Sequence, residues 1–277
     1  MPKVLISDKL SAESVKVFEK YGIEVEVNTD LSEEDLKNLI SDFDGLAIRS
    51  NTKVTRELLE KADNLKIIGR AGIGVDNIDL DAATKKGIVI MNTPLGNSIT
   101  TAEHTIALMM ALARNIPNAN FSTHLGKWEK SKYTGTELYS KILGMIGCGN
   151  IGSIVADRAQ GLKMQVKVYD PFLTDERAKE IGVEKMELDK LLKISDFLTL
   201  HVPLTKKTKN MINSTTLKKM KKGSKIINCA RGGLVNEKDL ANSIEKGHIG
   251  GAAFDVFSKE PAKDNPLFGL KEVVVTP

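Results

Sequence analysis

The chain is poor in cysteine and aromatics and has neither a long apolar run nor a block of one charge sign. Two cysteines among 277 residues, Cys148 and Cys229, do not make a disulfide framework. Each ends or follows an apolar run and is flanked by small residues, which suits buried free thiols in a reducing compartment. Met1-Pro2-Lys3 leads into a strand-like run with no signal-peptide core, and no stretch is apolar for long enough to span a bilayer. The expectation is a cytoplasmic protein with no membrane partner. Forty Lys and Arg against 36 Asp and Glu leave a formal charge of +4, too diffuse along the chain for nucleic acid. The densest run, Lys218, Lys219, Lys221 and Lys222, reads as a solvated helix end before Gly223 rather than a dock for an acidic partner. No metal site is expected.

What the chain does have is enough apolar residues, 41%, to furnish two cores. Short apolar runs alternate with amphipathic segments throughout, the pattern of strand–helix units feeding parallel sheets. Lys3 to Ser7, Glu24 to Val27, Gly45 to Ile48, Lys66 to Ile68 and Val89 to Met91 read as strands of a first unit, with Ser11 and Ser32 as helix caps. A second array begins at Lys141 to Ile146 and runs through Val166 to Tyr169, Phe197 to His201, Lys225 to Ile227, Gly250 to Phe254 and Val273 to Val275. The stretch Ser98 to Asn115 between them is apolar over most of its circumference and predicts a buried helix. The fold class is therefore α/β with two doubly wound parallel-sheet domains, 1–97 and 98–277. Pro117 to Gly135, polar around an isolated Trp128, is expected to be a long wrapping loop or an oligomer contact.

Gly147-Cys148-Gly149-Asn150-Ile151-Gly152 is a G-x-G-x-x-G, weak by itself but here set between a strand and a helix-like stretch, Ile151 to Gln160. The next strand ends in Asp170, 23 residues after Gly147. In such a unit the first glycine makes the tight turn, the second lets a pyrophosphate approach the backbone, and the third packs helix on strand. A carboxylate at Asp170 accepts from ribose hydroxyls and repels the extra phosphate of NADP, so NAD is the expected cofactor. The other reading of Asp170 is a plain surface turn before Pro171.

Arg231 stands just past the strand that begins at Lys225, on the sheet edge where doubly wound folds bind ligands. A guanidinium there grips a carboxylate with two hydrogen bonds and polarises a keto oxygen. It serves equally, on position alone, as a surface ion-pair partner. Asp255 and Glu260 follow another strand end, where they could hold a cofactor amide and tune a proton donor or be solvated loop acids.

With these residues go Arg70-Ala71-Gly72-Ile73-Gly74-Val75-Asp76-Asn77, Asn92-Thr93-Pro94 through Asn97 to Glu103, His201-Val202-Pro203-Leu204-Thr205, Asn228 to Gly233, and Asp255-Val256-Phe257 to Glu260-Pro261. In this order they resemble the D-isomer-specific 2-hydroxyacid dehydrogenases over nearly the full chain, and among these the members that oxidise 3-phosphoglycerate in serine biosynthesis. The resemblance implies a flavodoxin-like substrate domain and a Rossmann NAD-binding domain. It implies that Arg231 binds the substrate carboxylate and carbonyl, that Glu260 keeps a histidine protonated, and that Asp255 contacts the nicotinamide carboxamide. Asn150, Ile151, Asp170, His201, Pro203 and Cys229 would line the NAD site with Gly147, Gly149 and Gly152. Gly72, Ile73 and Gly74 would offer N–H groups to the substrate carboxylate, with Asn97 nearby, and Arg49 matches a cation favouring a phosphorylated 2-hydroxy acid. A homodimer or higher homo-oligomer is expected.

In that family the last strand ends in Thr-Pro followed by the catalytic histidine and a helix returning to the first domain. Here Val275-Thr276-Pro277 comes last, so the natural chain is expected to continue past Pro277. None of the four histidines substitutes: His104 lies in the linking helix, His124 in the long loop, His248 in a helix-to-strand turn, and His201 on the cofactor side. The alternative readings are a glyoxylate or hydroxypyruvate reductase, which needs no Arg49, and a noncatalytic NAD-sensing protein.

Overall fold

Short, mostly aliphatic strands of two to five residues, most followed by a side-chain-capped helix, build two parallel sheets in the computed structural model, which describes residues 1–277. They belong to two compact units, Met1–Asn97 and Ser98–Pro277. No helix is long and apolar enough to cross a membrane.

The first unit runs β1 (Lys3–Ile6), α1 (Ala12–Lys20), β2 (Glu24–Val27), α2 (Glu33–Leu39), β3 (Gly45–Ile48), α3 (Arg56–Lys61), β4 (Ile67–Arg70), α4 (Leu80–Lys85) and β5 (Val89–Asn92). Ser11 accepts from the Glu13 amide, and Ser32 forms a reciprocal capping box with Asp35, each such cap worth about 1 kcal/mol. The strand order is β2-β1-β3-β4-β5, all parallel, so the sheet reverses its winding between β1 and β3. One face is sealed: Leu5, Leu46, Ile48 and Ile68 pack on Leu36, Leu58, Leu59 and Ala83. The other is thin. Val4, Ile6 and Ala47 meet Val15 and Phe18 of α1, none of whose residues is fully buried, while Ile67, Val89 and Met91 in the same pleated row stay exposed.

The second unit opens with α5 (Ser98–Ala113) and α6 (Ile116–His124). It continues with β6 (Ile142–Ile146), α7 (Asn150–Gly161), β7 (Gln165–Tyr169), α8 (Asp175–Ile181), β8 (Glu184–Lys185), α9 (Leu188–Ile194) and β9 (Phe197–Leu200). It closes with α10 (Ser214–Leu217), β10 (Lys225–Asn228), α11 (Glu237–Glu245), β11 (Gly251–Phe254) and β12 (Val273–Val275). Its parallel order is β12-β11-β10-β9-β6-β7-β8, with the switch point between β6 and β9. The period of two puts Ile227 and Ala253 into one core and Ile226, Ala252 and Phe254 into the other, one on each side of the sheet.

Two expectations change and one is met. Pro117 to Gly135 is not a wrapping loop: α6 occupies its first part, because Pro117 sits in the opening turn, where a missing N–H costs nothing, and Gly126 at φ +75° closes the end. A 3₁₀ turn, Lys130–Tyr133, follows. α5 buries Ala102, Thr105, Leu108, Met109 and Leu112 but leaves Ile99 outside, so it is buried on one side only. Lys218 to Lys222 do follow a helix end before Gly223, with Lys219 on Asp189 and Lys221 on Asp196 at 2.8 and 3.0 Å.

Candidate functional site

Parallel strands send every following turn to one edge, so in the second unit the glycine turn, Asp170, His201, Cys229, Asp255 and Thr276 share the carboxyl edge of one sheet. The three glycines do different work. Gly147 has φ +89°, and a Cβ on it would lie 2.5 Å from the His201 carbonyl oxygen, so the turn crosses bare backbone. At Gly149 an added Cβ would meet nothing within 4 Å: that side is open. A Cβ on Gly152 would be 2.6 Å from the Gly147 oxygen, which fixes α7 directly on the turn. Gly149 caps α7 without any side-chain bond, leaving the helix's first N–H groups and its positive end facing the exposed Gly149 and Asn150. An open face, a clear backbone and an uncapped twelve-residue helix fit a dinucleotide diphosphate.

Asp170 follows β7 and turns back on the glycine loop. Its Oδ2 accepts from the Cys148 amide and its Oδ1 from the Phe172 amide, both at 2.8 Å. Each oxygen keeps a further lone pair for a ligand hydroxyl. The buried Cys148 thiol is pushed up to about 11 by burial and then by the Asp170 charge, so it stays protonated. Cys229, also free, is pushed up to about 12 by burial, against a smaller opposing hydrogen bond with Thr105.

His201 bonds Thr199 Oγ1 through Nε2 at 3.0 Å, while its Nδ1 is sealed from water without a partner. Burial drops it from 6.5 to about 4. A histidine neutral in the fold and charged when unfolded takes nothing from stability above pH 6.5. Between pH 6.5 and 4 the unfolded chain binds the extra proton, and folding loses about 3 kcal/mol by pH 4. Melting temperatures of the protein and of His201→Asn, followed downward from pH 7.5, are expected to converge or cross below 6.5; parallel curves would refute the linkage.

Beyond β10, the buried Asn228 side chain accepts from the Ala230 amide at 3.1 Å and donates to the Arg231 carbonyl at 2.9 Å, shaping the turn that presents the half-buried Arg231. Its carbonyl accepts from the Asp255 amide at 3.1 Å. A Cβ on Gly232 would fall 1.8 Å from the Phe257 carbonyl oxygen, so the Arg231 turn and the loop after β11 touch backbone to backbone. In that loop Glu260, exposed, accepts from the Phe257 amide at 2.9 Å. Asp255 Oδ1 accepts from Thr276 Oγ1 at 2.6 Å and lies 3.0 Å from His104 Nε2, leaving Oδ2 without a drawn bond to either. Pro203 is exposed just past His201.

In the first unit, Arg49 leaves β3 with an exposed side chain while its amide donates to the buried Asp8 Oδ2 at 2.5 Å, as does the Thr52 amide at 3.2 Å. Asn77 donates to the Arg49 and Thr52 carbonyls at 2.7 Å and accepts from Arg70 Nε at 3.1 Å. Gly72 to Gly74 follow β4. A Cβ on Gly72 would be 2.1 Å from Arg70 Nη1, and the Thr93 amide and Asn92 side chain hold the Gly72 and Ile73 carbonyls at 3.0 and 2.7 Å. Asn97 ends the unit, exposed.

Sequence reasoning passed over Asp8 and Glu237, quoted Asn77 within a motif without giving it a role, and set His104 aside as a structural or surface residue. The usable signal for Asp8 was its place just past the first strand, beside the switch point.

The family described as "D-isomer specific 2-hydroxyacid dehydrogenase, NAD binding domain" matches residues 106–277. The chain is 50% identical over 278 residues to the D-3-phosphoglycerate dehydrogenase of Methanocaldococcus jannaschii, covering 100% of this chain and 53% of that one. It spans about half the length of the curated relatives it matches. Among solved structures it is similar to D-lactate dehydrogenase from Aquifex aeolicus complexed with NAD and lactic acid, at TM-score 0.87 and 30% identity over 99% of this chain and 87% of that one. It is also similar to a glyoxylate reductase from Paecilomyes thermophila, at TM-score 0.93 and 28% identity, covering 100% and 88% of the two chains.

Proposed function

The chain belongs to the D-isomer-specific 2-hydroxyacid dehydrogenases, and on that footing we propose that it carries out the NAD-dependent oxidation of D-3-phosphoglycerate to 3-phosphohydroxypyruvate, a step of serine biosynthesis. The observation that carries the reading is the shared carboxyl edge, which sets a nucleotide turn and a half-buried arginine on one sheet. Bound NAD supplies the hydride acceptor. Gly147, Gly149, Asn150, Ile151 and Gly152 seat its diphosphate, Asp170 its adenosine ribose, and His201, Pro203 and Cys229 border it. Asp255 orients the carboxamide through the oxygen that Thr276 and His104 leave open. Arg231 holds the substrate carboxylate and draws electron density from the C2 oxygen. Glu260 keeps a histidine charged for proton exchange at that oxygen. In the first unit, the Ile73 and Gly74 amides suit a carboxylate, whereas the Gly72 amide is already given to the Arg70 carbonyl at 2.9 Å; Asn97 assists there, and the exposed Arg49 cation suits a phosphate.

The deciding experiment is a panel of D-3-phosphoglycerate, D-lactate, glyoxylate and hydroxypyruvate, each with NAD(H) and NADP(H), on the protein as its gene encodes it. Preference for glyoxylate or hydroxypyruvate over the phosphorylated acid would overturn the substrate reading. Binding of NAD with no turnover on any member would leave a sensing protein.

Exposed Ile116, Phe121, Leu125, Trp128 and Tyr139, on α6 and the segment after it, support a homodimer or higher homo-oligomer, since isolated apolar side chains are ordinary but this many close in sequence mark an interface. Light scattering that returned a one-chain mass would remove it. Two free buried thiols support a cytoplasmic setting, which cell fractionation tests.

A further inference from the structure

Only two side chains with a formal charge are buried in this protein, Asp8 and Glu237. Glu237 is the first residue of α11 and is 8% exposed. An acid in a helix's first turn normally complements the dipole from the surface. This one is turned inward, where a carboxylate is costly unless its lone pairs are met. They are met by a distant loop: the Ser258 amide at 2.7 Å, the Ser258 hydroxyl at 2.7 Å and the Asn265 side-chain amide at 2.8 Å. All three donors are neutral, and they bracket Glu260, from two residues before it to five after.

The peptide between Phe257 and Ser258 is thereby held from several directions. Its N–H, on Ser258, goes to Glu237, and its carbonyl oxygen lies against Gly232. The preceding N–H, on Phe257, goes to Glu260 itself. The Phe257 ring is buried and meets Phe268 edge-on at 5.4 Å. A shift of this peptide would move the Glu260 carboxylate and the Arg231 turn together.

We propose that Glu237 is a positioning residue that fixes the Ser258–Asn265 loop, and with it Glu260, against the turn that carries Arg231. The proposal rests on the roles given above to Glu260 and Arg231. Gln is the sharp substitution, because a carboxylate only accepts whereas an amide puts a donor against at least one of three donors. Asn265 cannot simply reverse, since its Oδ1 already accepts from the Leu267 amide at 3.0 Å.

The test uses the protein as its gene encodes it, with Glu237→Gln, Glu260→Gln and the pair. Tryptic cleavage after Lys259 and Lys263 is expected to quicken several-fold in Glu237→Gln, and NADH affinity, read by its own fluorescence, to stay within about twofold. Turnover is expected to fall by about 10- to 100-fold, the scale of a misplacement of about 1 Å, with kcat carrying the loss rather than KM. In the Glu260→Gln background the same change is expected to cost less than about threefold, because the group it positions is gone. An equal loss in both backgrounds would mean a general structural role and overturn the proposal. A silent Glu260→Gln would instead overturn the reading of Glu260, and the positioning role with it. Should Glu237→Gln not fold, Ser258→Ala removes one donor at an exposed residue and is expected to act in the same direction more weakly; unchanged cleavage and turnover there would also count against the clamp.

Discussion

Replacing Arg231 with Gln is expected to lower kcat/KM for the 2-hydroxy acid by about 10²- to 10³-fold while NAD affinity stays within about twofold. The size follows from what is lost. A bidentate, charge-assisted grip on a carboxylate becomes a single neutral hydrogen bond, and breaking one side of such a pair costs about 2–5 kcal/mol, partly through the charge left unmatched. The selectivity follows from the fold. Arg231 follows β10, whereas the glycine turn follows β6 and leans on His201 and Asp170, so the substitution falls on a different turn from the diphosphate and ribose seats. Steady-state kinetics beside a binding titration separate the two, and unchanged turnover would end the assignment of Arg231 to substrate.

A larger structural effect is expected at Gly232. Alanine there places its methyl 1.8 Å from the Phe257 carbonyl oxygen, and backbone cannot swing aside as a flexible side chain would. The opposing peptide is held by Glu237, so one of the two turns must deform, at a cost of about 3 kcal/mol, at the upper end for overpacking. For a chain of this size that lowers the melting temperature by roughly 6–12 °C. Gly149→Ala is the control, since nothing lies within 4 Å of its added methyl. Its melting point is expected to hold within about 2 °C while nucleotide affinity drops, because the open space is where the ligand backbone would come. Equal melting points for the two variants would show that the close approach at Gly232 is not a constraint.

How much of this was readable beforehand depends on whether the physics is local. Glu24–Val27 announces itself by its Glu/Val alternation and Gly45–Ile48 by an aliphatic run, and Ser11 and Ser32 cap the helices their hydroxyls imply. The glycine turn is equally local, since the positive φ at Gly147 and the contact of Gly152 with the Gly147 carbonyl both arise within one strand–turn–helix unit. α6 escaped because the stretch was read by its polarity around Trp128, whereas a proline in the opening turn is compatible with a helix. β8 escaped because Glu184–Lys185 is a two-residue charged edge with no apolar pattern to see. The carboxylates Asp8 and Glu237 were illegible for a different reason. Their burial is decided by loops 41 and 21 residues away in the chain, Arg49 and Ser258, and nothing in the neighbouring sequence distinguishes an inward acid from a solvated one. His104 is the same case at greater range, since its ring meets Asp255 across 151 residues.

Asp170 carries a consequence for anyone wishing to re-engineer the nucleotide preference. Exchanging it for an apolar or basic side chain, to admit a phosphorylated ribose, would also strip the Cys148 and Phe172 amides of their acceptor, and even Asn would leave one of them without it. The glycine turn would then lose its brace in the same stroke that widens its tolerance. With Asp170 in the ribose role proposed above, one carboxylate serves both ligand and scaffold, so a successful redesign has to graft in a replacement acceptor for those amides before the ribose contact is rewritten.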